Sequence, residues 1–337
     1  MNNKSRTYIA IFFSLIMGNN RPIIGEENHN LGNVTNDSAY DFEIMHQYEQ
    51  QKTITLLNLK NKAFASGSES LIYEVEVSLP EGNKKIQAII KLMKNTGNLQ
   101  ALMKETKREY GTMFFLQQQS YTYVPKVYAG LRFSRPLTGP AILMKKYGPD
   151  LSTIAGNIHA TNFLKLAKNI VNAVAELHDL GLVHRDLKPE NILYDNECKQ
   201  SIKLTDFRST RAIGTPSKDA GGNPSPMYWI PQFSWEEGEV DPQEDLFSLG
   251  LCLFYLRHGV YLQQFVFSSE QLSKYQIEAL MLLHYKTNFL KKRDILNRNF
   301  PDQIDQMLLR LASPLVTERP TLLDLKELID FNLKKSN

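Results

Sequence analysis

The chain has 337 residues, of which 42% are hydrophobic and 22% are charged, and its formal net charge is +3. This is ordinary globular composition, and the length is enough for two cores or for one large bilobal domain. So mild a charge gives no argument for a nucleic-acid partner, and none is expected. The chain has two cysteines, too few for a disulfide framework.

Residues 1–52 differ from the rest of the chain and are predicted to form an N-terminal extension. Lys4 and Arg6 precede an apolar run over residues 8–17, which is too short to span a bilayer as a helix. Three interpretations stay open: a segment packed on the protein body, which is favoured, a signal peptide that is removed, or, least favoured, a membrane contact. Residues 18–50 are rich in Asn, Gly and Glu and are interpreted as a linker. A cytoplasmic location is favoured, a secreted effector is the alternative, and the oligomeric state is left open.

The predicted elements change from mostly strands to mostly helices along the chain. Alternating β-branched and apolar residues indicate strands, and apolar residues at helical intervals indicate helices. Residues 52–90 are predicted to be mostly strand, with strands over 71–77 and 86–92, and a further strand is predicted over 141–144. Helices are predicted over 99–119, 163–180, 245–256 and much of the chain from 268 onward. A strand-rich part followed by a helix-rich part predicts an α+β fold with two lobes.

The run from His184 to Asn191 brings three different chemical groups within six positions. Asp186 can accept a proton from a hydroxyl group, and Lys188 can hold a phosphate. Asn191 offers a carbonyl oxygen to a hard cation such as magnesium. Pro189 excludes a regular helix interior, so the run is predicted to be an irregular loop.

This run reads H-R-D-L-x-x-x-N and resembles the catalytic loop of the protein kinases. The resemblance implies a bilobal, kinase-like α+β domain over residues 53–335, with a β-rich N-lobe over 53–145 and an α-helical C-lobe over 146–335. It implies ATP and Mg²⁺ as cofactors and a protein as substrate. The run from Tyr147 to Leu151 is also similar to the casein-kinase-one and vaccinia-related kinase groups.

The resemblance assigns catalytic roles residue by residue. Asp186 would orient and deprotonate the substrate hydroxyl, and Lys188 would offset charge on the transferred phosphoryl group and favour serine or threonine over tyrosine. Asn191 and Asp206 would hold the metal. Lys91 resembles the strand lysine that contacts the α- and β-phosphates, with its ammonium held by an acidic residue of the following helix.

Two acidic residues of that helix compete for Lys91. Glu109 is preferred to Glu105 because Leu116, seven residues after Glu109, fits the apolar face of the helix. The remaining nucleotide-binding residues that the resemblance implies lie in the covering loop, around the base, in the hinge and near the ribose: Gly67, Ile72, Ile89, Met144, Lys146, Asp150 and Leu193. Met144 would be the gatekeeper, and Asp150 would contact the ribose.

Three departures from the family pattern leave the function open. Gly67 is the one glycine kept of the three in the covering loop, Arg208 replaces the glycine after Asp206-Phe207, and Gln232 replaces a glutamate. Arg208 is expected to restrict the backbone of its segment. An active serine/threonine protein kinase is the main hypothesis, a pseudokinase that acts as a binding scaffold is the alternative, and a small-molecule kinase is less favoured.

Overall fold

The protein is described by a computed structural model, in two compact units that divide between Tyr147 and Gly148. The first unit holds most of the strands and the second holds most of the helices. The predicted α+β class, with a β-rich first lobe and a helical second lobe, is confirmed. The structure describes residues 35–36, 41–46, 55–57, 59, 62–66, 69–78, 85–94, 97–135, 137–195, 201–216, 228, 238–267 and 274–335.

Among the described residues, the first unit is built on one eight-stranded sheet. Its strands are β1 Thr35–Asn36, β2 Asp41–His46, β3 Thr55–Leu57, β4 Ala65–Ser66, β5 Ser70–Ser78, β6 Lys85–Met93, β7 Val127–Arg135 and β8 Gly139–Lys145. The strand order is β1-β3-β5-β6-β8-β7-β2, and β4 pairs with β5. Strand β6 is therefore an inner strand, paired antiparallel to both β5 and β8, and it carries Lys91.

Strands β1, β2 and β7 are missing from the sequence prediction. Gly130 and Arg132 interrupt the apolar pattern of β7, although Val127, Leu131 and Phe133 alternate with them and are buried. Strand β2 lies within the predicted extension and pairs antiparallel with β7 at the edge of the sheet. The boundary between an extension and the domain at residue 52 stays a prediction, and the apolar run over 8–17 lies outside the described residues.

The two faces of the sheet differ because successive side chains of a strand point to opposite faces. One face forms the buried core of the first unit, which includes Tyr73, Val75, Ala88, Ile90 and Leu143. The opposite face carries Lys91, which contacts helix α1, Leu99–Gln118. Helix α1 begins where the Asn98 side chain accepts a hydrogen bond from the Ala101 amide at 3.0 Å.

The second unit is formed by six helices in its described part. These are α2 Ala160–Asp179, α3 Gln243–His258, α4 Leu262–Phe267, α5 Lys274–Asn299, α6 Gln303–Leu311 and α7 Leu322–Lys335. Helix α2 packs against α7, and α3 packs against α6. A Cβ atom on Gly250 of α3 would lie 2.7 Å from the Leu311 Cβ atom, so glycine is what lets α3 approach the end of α6. Within the described part of the chain, no helix has both the length and the apolar character that a membrane span requires.

Four short strands frame the loops of the second unit. Strand β9 Leu182–Val183 pairs with β12 Arg211–Ala212, and β10 Ile192–Tyr194 pairs with β11 Ile202–Leu204, both antiparallel. The run from His184 to Asn191 connects β9 to β10. It ends in the 3-10 turn Pro189–Asn191, which agrees with the irregular loop predicted from Pro189.

Candidate active site

Lys91 of β6 forms an ion pair with Glu109 of α1, with Lys91 Nζ 2.7 Å from Glu109 Oε1. Both side chains are buried, whereas Glu105 is exposed. Leu116, which was used to choose between the two acids, is fully buried on the same helix face. A buried ammonium needs such a partner because desolvation of an unpaired charge is costly. The first unit thus holds a fixed ammonium group at the position predicted for phosphate contact.

Three further predicted residues share the sheet face of Lys91. Ile72 is the direct partner of Lys91 across β5 and β6, and Ile89 is the partner of Met144 across β6 and β8. Residues two apart on one strand point to the same side, so Ile89 and Lys91 are on one face. Ile72 and Ile89 are half-buried, and Met144 is buried. This face offers apolar surface beside an ammonium group, while Gly67 lies outside the described residues.

Lys146, predicted for the hinge, forms an ion pair with Glu74 of β5. The Lys146 ammonium also lies 5.0 Å from the centre of the Phe64 ring. Glu74 pairs across the strands with Ile89 and therefore shares the face just described. Sequence reasoning missed Glu74. Its position two residues after Ile72 on the same strand could have indicated that both side chains lie on one face of the sheet.

In the second unit, the β10–β11 hairpin brings the two predicted metal-binding residues to one end. The register pairs Ile192 with Leu204. Asn191 immediately precedes this pair, and Asp206 follows it by two residues. The Thr205 amide donates to the Asn191 carbonyl at 2.9 Å, which fixes the two chain segments side by side.

Asp186 is the point where the side chains of the loop converge. Lys188 Nζ donates to Asp186 Oδ2 at 2.9 Å, and Asn191 Nδ2 donates to the same oxygen at 2.8 Å. Asn191 Nδ2 also donates to the Asp186 backbone carbonyl at 2.8 Å. The three residues therefore form one cluster with a carboxylate at its centre. These contacts orient the Asn191 amide, with its nitrogen towards Asp186 and its carbonyl oxygen left as the atom predicted to bind metal.

The loop backbone is fixed by Asp245 of helix α3. Asp245 Oδ2 accepts from the His184 amide and Oδ1 accepts from the Arg185 amide, both at 2.8 Å. His178 of α2 lies 2.8 Å from Oδ2. Burial by itself would raise the pKa of the Asp245 carboxyl, but the His178 and Arg185 contacts outweigh it and hold this pKa below its usual value.

The bracing by Asp245 matters because Arg185 has an unfavourable backbone conformation, with φ of 69°. A residue other than glycine in the left-handed region costs about 1–3 kcal/mol and persists only where its surroundings enforce it. The Asp245 carboxylate accepts the consecutive amides of His184 and Arg185 and so fixes the peptide plane that precedes Arg185.

A family profile described as "Protein kinase domain" matches residues 145–329, more than half of the chain. The chain belongs to the protein kinase family. The assignment to the eukaryotic-type protein kinase superfamily is therefore confirmed, while the similarity of the Tyr147–Leu151 hinge to two particular kinase groups stays a prediction.

Three relatives support the enzyme class. The chain is 34% identical over 128 residues to the serine/threonine-protein kinase/endoribonuclease IRE1a of Arabidopsis thaliana, covering 34% of this chain and 15% of that protein. It is 40% identical over 90 residues to the serine/threonine-protein kinase chk-2 of Caenorhabditis elegans, covering 26% and 18%. It is 41% identical over 103 residues to the serine/threonine-protein kinase SBK1 of Danio rerio, covering 28% and 26%. The chain thus spans about a quarter or less of these relatives' length.

In this kinase-family chain, His184 is buried against Phe207, with the ring centres 5.0 Å apart. His184 Nε2 lies 3.1 Å from the Thr205 carbonyl oxygen, and Nδ1 lies 3.3 Å from the Asp186 amide. A neutral ring with its proton on Nε2 satisfies both contacts, since Nε2 then donates and Nδ1 accepts. Burial lowers the pKa of His184, and the nearby carboxylates only partly oppose that effect.

We expect the free energy of unfolding to fall as the pH drops through about 6.5 towards the folded-state pKa of His184. Unfolded chains bind a proton on this ring near its ordinary pKa of 6.5, whereas the folded state resists it. His184→Phe keeps an aromatic ring against Phe207 and should flatten this part of the profile. Urea unfolding in EDTA between pH 7.5 and 5.5 measures the effect, with His159→Gln as the exposed control. A profile equally steep in His184→Phe and in the parent chain would contradict the assignment.

The Arg185 side chain is also held in place, by an ion pair with a residue of helix α3. Arg185 Nε donates to Glu244 Oε2 at 2.9 Å, and both side chains are buried. Burial raises the pKa of Glu244, while the Arg185 guanidinium opposes this. Sequence reasoning missed Glu244, which immediately precedes Asp245 at the start of α3. The pair gives Arg185 a carboxylate partner from within the second unit.

Asp150 and Leu193 meet as an isolated antiparallel bridge. The Asp150 carboxylate, predicted to contact the ribose, accepts from the Ser152 amide at 3.0 Å and begins the 3-10 turn Leu151–Ile154. Leu193 is half-buried in β10. Asp150 thus has a local structural role, and its predicted contact with the ribose stays a prediction.

At the predicted metal site, the Asp206 carboxylate forms an ion pair with Arg208. Arg208 Nε donates to Asp206 Oδ1 at 2.7 Å, and Arg208 Nη2 donates to Oδ2 at 2.9 Å. Arg208 lies in the 3-10 turn Phe207–Ser209 and is not among the described non-glycine residues with positive φ. The backbone freedom of glycine is therefore not required at this position.

The oxygen atoms of Asn191 and Asp206 fit a hard divalent cation such as Mg²⁺ in chemical type. The described residues contain no group of three or more His, Cys, Asp or Glu side chains that could hold a metal. The candidate ligands that the chain offers to a metal here are one carboxylate and one amide, and nucleotide oxygen atoms and water would complete the coordination of Mg²⁺. Gln232 lies outside the described residues.

Proposed function

We propose that this chain transfers the terminal phosphoryl group of ATP to serine or threonine hydroxyls of a protein substrate. The observation that carries the proposal is the cluster in which Lys188 and Asn191 both donate to Asp186 Oδ2, on a loop fixed by Asp245. Phosphoryl transfer needs positioning and charge stabilisation more than covalent chemistry, and such a cluster supplies both.

Each residue has a role that follows from its chemistry. Asp186 orients the substrate hydroxyl and accepts its proton, as a positioned carboxylate can. Lys188, an ammonium group beside Asp186, offsets charge on the transferred phosphoryl group. Lys91, kept in place by Glu109, contacts the phosphates of the nucleotide.

Asn191 and Asp206 would hold the metal that accompanies the nucleotide. Mg²⁺, when bound, neutralises charge on the phosphate oxygens. The apolar residues Ile72, Ile89 and Met144 share the sheet face of Lys91 and are the groups of the first unit that would contact the base.

The alternative is a pseudokinase that binds partners without transferring phosphate. Its supporting observation is the Arg208 guanidinium on both carboxylate oxygens of Asp206. The enzyme is supported more strongly by the intact set of Lys91, Glu109, Asp186 and Asn191. These side chains would contact the reacting phosphates or hydroxyl, or would hold other groups that contact them.

The test is transfer of labelled phosphate from ATP to a generic protein substrate, followed by identification of the phosphorylated amino acid. We expect phosphoserine or phosphothreonine, and we expect Asp186→Asn to lower the rate by about 10²-fold or more while nucleotide still binds. Asp179→Asn, at an exposed acid of the second unit, is the control and should leave the rate unchanged.

Two outcomes would count against the proposal. A parent chain that binds nucleotide and transfers nothing, with host extract supplied as a source of activators, would favour the scaffold. Equal rates in the parent chain and in Asp186→Asn would show that Asp186 is not the acid beside the substrate hydroxyl.

A further inference from the structure

Asp206 is engaged by Arg208 through both of its carboxylate oxygens, in a bidentate contact with distances of 2.7 and 2.9 Å. Charge-assisted, bidentate contacts between arginine and a carboxylate are among the strong hydrogen bonds of proteins. Both side chains are partly accessible, with exposures of 19% for Arg208 and 16% for Asp206. A dissolved metal ion can therefore reach the carboxylate, but it meets a cation already there.

The placement of Arg208 is built into the local backbone. Asp206 has a left-handed conformation with φ of 65°, which an aspartate tolerates better than most residues. The chain then enters the 3-10 turn Phe207–Ser209. Arg211, which is buried, donates to the Arg208 carbonyl at 2.8 Å and holds this turn. This backbone geometry places the side chains of Asp206 and Arg208, which are two residues apart in sequence, on the same side of the chain.

We propose that Arg208 is an internal cation that competes with the divalent metal for Asp206. A metal ion bound at either oxygen of Asp206 would meet the Arg208 guanidinium, which contacts both oxygens. The two cations repel each other, so metal binding at Asp206 proceeds by exchange against Arg208. The chain then needs more free Mg²⁺ to bind nucleotide than it would with the family's glycine. This inference rests on the proposed nucleotide and metal site, and it adds a control on when that site is filled.

The experiment measures ATP binding by calorimetry over a series of Mg²⁺ concentrations. We compare the parent chain with Arg208→Gly and with Arg208→Gln, which keeps a long polar side chain and removes the charge. Arg298→Ala is the matched control, because Arg298 is exposed on α5 and its Nε donates to the Asp294 carbonyl at 3.2 Å.

We expect the half-saturating Mg²⁺ concentration to fall by about tenfold in both Arg208 variants, equivalent to about 1.4 kcal/mol, and to stay unchanged in Arg298→Ala. On an Asp206→Asn background, Arg208→Gln should give no further shift. An unchanged Mg²⁺ requirement in both Arg208 variants would overturn the proposal. The proposal would also be overturned if the parent chain bound nucleotide in EDTA and Arg208→Gly did not. Arg208 would then replace the metal instead of competing with it.

A second measurement separates this inference from the proposed function. Mn²⁺ is titrated without nucleotide, and its binding is followed by electron paramagnetic resonance. Tighter Mn²⁺ binding in Arg208→Gly, together with no phosphoryl transfer by any variant, would support the competition and refute the enzyme. Equal Mn²⁺ binding in the parent chain and in both variants, together with active transfer, would refute the competition and leave the enzyme in place.

Discussion

We expect Asp245→Ala to lower the free energy of unfolding by about 3–5 kcal/mol, because it removes a buried acceptor from several donors at once. The Asp245 carboxylate is fully buried and accepts from the His184 and Arg185 amides, with His178 on the same side chain. Each buried amide left without an acceptor costs about 1–3 kcal/mol. The loop would also lose the group that fixes the peptide plane preceding Arg185, whose φ is positive.

The measurement is urea unfolding of the full chain, followed by circular dichroism. Asp241→Ala is the matched control: Asp241 is exposed at the start of the same helix, and its carboxylate accepts from the Gln243 amide at 2.7 Å. Loss of such a cap costs about 1 kcal/mol. If Asp245→Ala were no more destabilising than Asp241→Ala, the bracing role of the buried carboxylate would be wrong.

We expect Lys91→Met to lower phosphoryl transfer by about 10²-fold or more, as removal of a single positioned charge at a reacting group does. It should also lower the free energy of unfolding by about 3–5 kcal/mol, because the buried Glu109 carboxylate loses its counter-charge. A loss of transfer alone would thus not separate a catalytic role from a structural one.

The double variant Lys91→Met with Glu109→Leu separates the two roles. An apolar pair in place of a buried ion pair is often neutral or stabilising, so stability should return while transfer stays lost. Lys85→Ala is the control on the same strand, since Lys85 is exposed and pairs with Glu76 at 3.2 Å. Transfer that returned in the double variant would show that Lys91 serves the fold and not the phosphates.

The sequence predicted the elements with strong local patterns. The helix expected over 99–119 is α1, Leu99–Gln118, and the strand expected over 86–92 is β6, Lys85–Met93. Strand β7 was not found, because Gly130 and Arg132 weaken its apolar run, and its stability comes from pairing with β8 and β2. Such pairing joins residues distant in sequence, and no local pattern contains it.

The kinase motifs could be recognised from the sequence alone because the chemistry needs particular residues at short, fixed spacings. The order of Lys91, Glu109, Asp186, Asn191 and Asp206 could therefore be read directly. The choice of Glu109 over Glu105 followed from the helical period, and the structure pairs Lys91 with Glu109. These are the features that the amino-acid sequence determined by itself.

Apart from the Lys91–Glu109 pair, only the tertiary structure decided which charges meet. Lys146 and Glu74 are 72 positions apart, and Arg185 and Glu244 are 59 positions apart, so their pairing depends on where distant segments pack. Arg208 and Asp206 are close in sequence, yet their contact depends on the left-handed φ of Asp206 and the turn that follows it. The partner of a side chain depends on where both groups lie and on how deeply they are buried. Position and burial are properties of the folded chain, so they become known only from the tertiary structure.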